Sequence, residues 1–371
     1  MTHQNTPSRA LFLMFAALPV LLLGNARAAD VRLYGRIDTG LVFHHYSGDS
    51  VKDDTFSMDS GPNTASRWGL QGSEVLSSYT TVSFRLENRF TSDDGAFKQF
   101  SKGHPGRMFG GQANMTLADR RFGEVAFGRT AGIGSGSGSY DYQVYMDAFG
   151  GGSVGNGNAP VKSTRYDNMI TYRTPDLAGW QATLQYSLKT DGYDEGDEAT
   201  DDVDRFGAAG LRWHRGNLNV VAAYETMLRN GDAVVERDRK VATVGGGYRF
   251  DPVTVFLQAQ YFTGLDALDG LSAKSGESIE GFGLYGGTEF WFGPSSWKTM
   301  VYWRDYRLEE RTHDKDGTTL GLATKYVCRP SKTVELYAGG GLSSWDRVSA
   351  ADGSVLTDRE TNLFAGLTKY F

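Results

Sequence analysis

Arg85, Glu87 and Arg89 recur at alternate positions, and Arg67 with Gln71 and Arg165 with Asp167 keep the same even spacing. In an extended strand successive side chains point to opposite faces, so each set shares one side. Arginine stays charged at any working pH. A row of such charges on a wet surface imposes a field on ions and dipolar solutes, with no covalent step. The residues of covalent chemistry show no comparable order. Of six His, one is in the N-terminal segment and none of the others stands in an Asp/His or Ser/His arrangement. His44-His45 adjoin without a third metal ligand nearby. The Gly132–Gly138 run lacks both the lysine and the following helix of a phosphate cradle. No catalytic residue, metal ligand or cofactor is expected.

Asp191, Asp194, Glu195, Asp197, Glu198, Asp201, Asp202 and Asp204 form a dense acidic stretch. It reads either as a solvated loop or as a place where divalent cations bridge to lipid phosphates.

The arginines lie on segments of period two. Val31, Leu33, Gly35, Ile37, Leu41 and Phe43 share one face, while Arg32, Tyr34, Arg36 and Asp38 share the other. The same alternation recurs at Trp180–Lys189, Asn217–Glu225 and Val253–Tyr261. Strands are predicted at 31–44, 65–75, 79–91, 107–118, 122–130, 164–174, 178–190 and 204–214. A second set follows at 217–229, 236–250, 252–264, 279–292, 296–309, 316–328, 332–346 and 357–371. Seven short turns alternate with eight long connections between them.

Three features place these strands in a membrane rather than a dry sandwich. Most are long enough to cross a bilayer at a tilt. Aromatics gather beside the short turns, at Trp180, Trp213, Phe250, Trp291, Phe292, Trp297, Tyr370 and Phe371, as in an interfacial girdle. The second face is polar almost throughout, which a sealed core would not tolerate. An even strand count closes without an exposed edge, and a barrel of sixteen strands encloses water. The expected fold is therefore all-β, a 16-stranded antiparallel transmembrane barrel.

Residues 1–28 read as a signal peptide: Arg9, an apolar run from Ala10 to Leu23, then Ala26-Arg27-Ala28. The barrel domain is expected over 29–371. Without Arg9 and Arg27 that domain holds 36 basic and 44 acidic residues, a net charge of −8, which disfavours nucleic acid as a partner. The single Cys328 excludes an internal disulfide. Leu363, Ala365, Leu367, Lys369 and Phe371 alternate outward to an aromatic end, which resembles the recognition segment of outer-membrane barrels.

Several stretches carry a wider resemblance: Val31–Asp38, Ser66–Glu74, Phe122–Arg129, Met146–Gly151 and Arg165–Tyr172. They are similar to the Gram-negative general porins, especially the trimeric diffusion porins of β-proteobacteria. The resemblance implies passive diffusion of ions and small hydrophilic solutes across the outer membrane, a homotrimer, and contact with lipopolysaccharide and outer-membrane lipids. A substrate-specific channel and an outer-membrane barrel enzyme are the alternatives.

The longest connection, Thr130–Ser163, is too long to be structureless without a task. Its position corresponds to the third extracellular loop of those porins, which folds inward and narrows the pore. The resemblance then makes Asp141 and Asp147 the acidic side of a constriction, with Glu87 on the wall. The basic side is Arg67, Arg85, Arg89 and Arg165. Porins of this group often open the fourth strand with Arg-Gln, where this chain has Gly111-Gln112; Arg107, four residues earlier, is the stand-in.

Overall fold

The computed structural model describes residues 30–48, 52–98, 107–150, 160–192, 197–199, 202–230, 235, 237–269, 271–309, 315–348 and 355–371. The predicted signal peptide and part of the acidic stretch, Asp194, Glu195 and Asp201, lie outside them.

The first strands are β1 (Asp30–Ser47), β2 (Lys52–Ser60), β3 (Arg67–Val75), β4 (Thr80–Arg89), β5 (Gln112–Asp119) and β6 (Gly123–Ala131). Next come β7 (Arg165–Arg173), β8 (Trp180–Ser187), β9 (Arg205–Arg215), β10 (Leu218–Leu228), β11 (Arg239–Arg249) and β12 (Val253–Leu265). A small hairpin, β13 (Ala267–Leu268) and β14 (Leu271–Ser272), precedes β15 (Ser278–Phe292) and β16 (Ser295–Glu309). β17 (Lys315–Ser331), β18 (Val334–Val348) and β19 (Val355–Tyr370) complete the chain.

Neighbours pair antiparallel, and β1 closes the ring against β19, with Arg36 opposite Tyr370 and Ser47 opposite Arg359. β2 and β3 are two pieces of one stave: β2 pairs with the outer half of β1 and β3 with its inner half. Sixteen staves therefore make the closed barrel. The sequence pattern runs the second stave over 65–75 without its outer piece, because residues 61–66 leave the ladder. There Asn63 turns to a buried site, receiving a bond from Lys325 and donating to Thr368.

All seven predicted short turns join adjacent staves at one end, and the chain ends meet there too. Gly35 and Phe371 exchange backbone hydrogen bonds of 2.9 and 3.0 Å. Leu33, Leu184, Leu257, Val301, Leu322 and Leu363 are exposed on the outer face, the surface a bilayer would cover. Near the turns, Trp180 faces Trp213 across the ladder with ring centroids 6.0 Å apart, and Trp297 lies 6.0 Å from Tyr326. Two predicted girdle members belong elsewhere. Strand alternation carries Trp291 to the face opposite Phe290 and Phe292, beneath the Arg329 guanidinium, and Tyr370 to the inner face, where it donates to Glu335.

Candidate pore constriction

The connection from β6 to β7 enters the barrel and crosses it. Its first limb packs Ile133, Tyr140, Tyr142 and Met146 against Tyr166, Met169, Phe206 and Val221 of the wall. Its far described end puts Phe149 among Val42, Tyr285, Tyr337 and Phe364, on staves β1, β15, β18 and β19. Apolar side chains in an otherwise wet lumen thus bury one another along the crossing, which drives the inward fold.

The wall is cut away where the loop passes. A side-chain carbon at Gly210 would collide with the Tyr142 ring and lie 2.9 Å from Ile133. At Gly245 it would lie 2.9 Å from the Met146 sulfur, at Gly247 3.1 Å from the Tyr145 carbonyl, and at Gly287 2.9 Å from the Ala148 Cβ. These glycines, on β9, β11 and β15, form a trench in which the loop is inlaid. Wall cations cover loop rings along it, Arg173 at 4.9 Å from the Tyr140 centroid and Arg212 at 4.1 Å from that of Tyr145. At the base, Glu225 accepts from Gly134 N–H (2.9 Å) and Ser163 Oγ (2.8 Å), tying the two limbs together. Gln260 brackets Val161 through both its amide atoms, accepting at 2.9 Å and donating at 3.1 Å.

Opposite the loop stands an arginine row. The ladder pairs Arg36 with Arg67 and Arg67 with Arg89, so three staves present a guanidinium at one height. Like charges side by side repel, and Glu87 supplies the counter-charge. Its carboxylate accepts from Arg67 Nη1 (3.2 and 3.3 Å), Arg89 Nε (3.3 Å) and Tyr34 Oη (3.2 Å). Arg165, at the start of β7, donates to loop Ser137 Oγ at 2.7 Å. Arg67 Nε, Arg89 Nη2 and Arg165 Nε have no partner among the described residues.

Among the described residues, the gap between row and loop is lined by six cations, Arg36, Arg67, Arg89, Arg165, Lys162 and Lys298, and by three anions, Asp141, Asp147 and Glu289. Two of the anions are locally neutralised. Asp147 pairs with Lys162 at 3.2 Å and accepts from Phe149 N–H, while Glu289 pairs with Lys298 at 3.1 Å. Asp141 accepts from the N–H groups of Gly136 (3.1 Å) and Gln143 (3.0 Å), and burial pushes its carboxyl up to about 6. Even counting Glu87, cations exceed anions by two.

The sequence candidates thus divide. Arg67, Arg89, Arg165, Asp141 and Asp147 meet around one gap. Glu87 lies behind the arginines as their shared acceptor. Arg85 sits to the side, donating to Ser139 Oγ (3.2 Å) and Gln71 Oε1 (2.9 Å) with its guanidinium 5.5 Å from the Tyr34 ring centroid. Arg107 does not line the gap. It precedes β5, buried against Asp167 (2.5 Å) and Asp191 (3.0 Å), so it joins a wall stave to an outer loop. Gly111 explains why no arginine stands at the head of β5: a side-chain carbon there would lie 2.7 Å from Glu87 Oε1. Arg36, Lys162, Lys298 and Glu289 line the gap without being singled out by the sequence. Arg36 was on the correct face, but its height beside Arg67 is a matter of register, which one strand's sequence does not carry.

Residues 16–346 match the family model described as Gram-negative porin. An outer membrane porin protein of Bordetella pertussis is 32% identical over 306 residues, covering 73% of this chain and 76% of that protein. An anion-selective porin from Comamonas acidovorans superposes with a TM-score of 0.64 at 20% identity, covering 93% of this chain and all of that one. The trimer form of OmpT, an outer membrane protein of Vibrio cholerae, gives a TM-score of 0.57 at 14% identity over 93% of this chain and all of its own.

Proposed function

The chain belongs to the Gram-negative porin family, and from that premise we propose an anion-preferring diffusion channel whose narrowest passage is the gap between the arginine row and the inlaid loop. The protein is an outer-membrane channel for passive diffusion of small hydrophilic solutes; what is proposed is its constriction and preference. The carrying observation is the aligned row Arg36–Arg67–Arg89 with Arg165 beside it, in which Arg67 and Arg89 pair with one carboxylate, Glu87, among the described residues. The guanidinium groups that line the gap can offset part of an anion's lost hydration in passing. The field from row to Asp141 also aligns dipolar solutes and disfavours apolar ones.

A homotrimer is part of the same reading, supported by the trimeric form of a structural neighbour. So is contact with lipopolysaccharide at the outer ends of the staves, where Arg237 and Arg307 are about half exposed. The protein is read as a channel without enzymatic activity, and residues 1–28 as an export leader. The test is the zero-current potential of the purified protein in a planar bilayer under a KCl gradient. A potential on the chloride side is expected; one at zero or on the potassium side overturns the anion preference.

A further inference from the structure

Covalent attachment to β6 and β7 fixes the base of the inward loop, and Glu225 and Gln260 reinforce it. The far end has no such attachment, yet Phe149 is buried against the opposite wall. Lys325 of β17 is what meets it there. Its ammonium donates to the Phe149 carbonyl at 3.2 Å and to Asn63 Oδ1 at 2.9 Å, and lies 4.6 Å from the centroid of the Phe149 ring. Lys325 is 3% exposed. Both oxygen acceptors are neutral, and among the described residues no carboxylate pairs directly with this buried amine, a costly arrangement for barrel stability alone.

We propose that Lys325 is the positioning residue of the constriction: it pegs the far end of the loop to the inward break in the second stave and thereby sets the width of the pore. Asn63 belongs to that break and passes the contact on, donating to Glu335 and Thr368 at 3.3 Å each. The trench fixes the depth at which the loop lies, while the peg fixes how far it reaches. Among the described contacts, loss of the peg leaves Ala148 and Phe149 seated by apolar packing, and the loop lifts transiently. One hydrogen bond from a charged donor changes the docked-to-lifted ratio by about tenfold or more.

The inference rests on the loop being the constriction, and the experiment separates the two. Lys325→Met keeps the stem and removes the donor, Lys325→Arg restores a charged donor, and Lys325→Gln keeps a shorter neutral one in case the Met variant fails to assemble. Single-channel noise and the size cut-off for a graded series of sugars entering liposomes are read beside the thermal midpoint of barrel unfolding. The Met variant, or the Gln variant in its place, should show more open-channel noise and lose discrimination against larger sugars. Lys325→Arg should return both to wild type, including where the thermal midpoint is unchanged. Wild-type noise and cut-off in the Met variant, or in the Gln variant where Met does not assemble, would overturn the proposal. A wild-type protein that does not discriminate sugars by size would instead overturn the constriction reading.

Discussion

Arg67 and Arg89 stand directly opposite each other on adjacent staves and share the Glu87 carboxylate at 3.2 and 3.3 Å. Two like charges at this spacing persist because a buried acceptor lies between them. The arrangement makes Glu87 a structural residue of an electrostatic site.

Glu87→Gln should therefore separate stability from selectivity. Removing one partner of a buried ion pair costs about 3 kcal/mol or more. The thermal midpoint of the barrel should fall, while the zero-current potential should move further toward chloride because a negative charge is gone. A variant as stable as wild type would show that water in the lumen already screens the pair.

Arg67→Ala acts in the opposite sense. It removes the middle of the row and a donor to Glu87, so chloride preference should drop more than for Arg85→Ala, whose guanidinium lies beside the gap. Reversal potentials of the two variants at equal salt decide the ranking.

Asp141 should give the channel a pH response. Burial holds its carboxyl up at about 6, so it is ionised at pH 7.5 and neutral well below that value. Acidification through pH 6 removes the loop's charge and should increase chloride preference, and Asp141→Asn should abolish that step. The stability sign follows from linkage: a folded-state pKa above the unfolded one means extra proton binding when folded. This residue's contribution therefore favours the fold as pH falls through 6 and is lost as pH rises through it.

Asp269 links the β13–β14 hairpin to the inner wall, accepting from Arg304 and Thr319 at 2.5 Å each. Around that hairpin Leu265, Leu271 and Ala273 bury against Ile279, Tyr306 and Leu308. Asp269→Ala should release it and raise single-channel conductance with little change in the zero-current potential, since the arginine row is untouched. Equal conductance in the variant would place the limiting resistance wholly at the constriction.

Deleting Phe371 removes the two backbone bonds with Gly35 that complete the ring beside the chain ends. At about 1 kcal/mol for each bond, the urea midpoint should fall measurably. The channel properties of the molecules that do fold should be unchanged.

The barrel was legible because period-two alternation is written into each strand separately. Val31, Leu33 and Ile37 point outward and Tyr34, Arg36 and Asp38 inward, as one strand alone tells. What joins strands was not legible. Arg36 belongs to the site because of its register against Arg67, and Arg107 stands apart because β5 begins only at Gln112. The break at 61–66 likewise depends on partners, Lys325 and Thr368, more than 250 residues away. The trench left a faint trace: Gly210, Gly245, Gly247 and Gly287 all occupy inward positions, but glycine is common in this chain and only the loop's path distinguishes these four.

That trench also orders events in time. Its floor is assembled from β9, β11 and β15, and the peg beyond it from β17, so the seat for a segment between β6 and β7 does not exist until most of the later chain has paired. Contacts so distant in sequence form late. The far-end seat of Phe149, among Val42, Tyr337 and Phe364, is complete only where β1 meets β19, so a wider, unthrottled cylinder precedes the finished sieve. Newly made molecules would pass through a leaky stage that ends when the loop is seated.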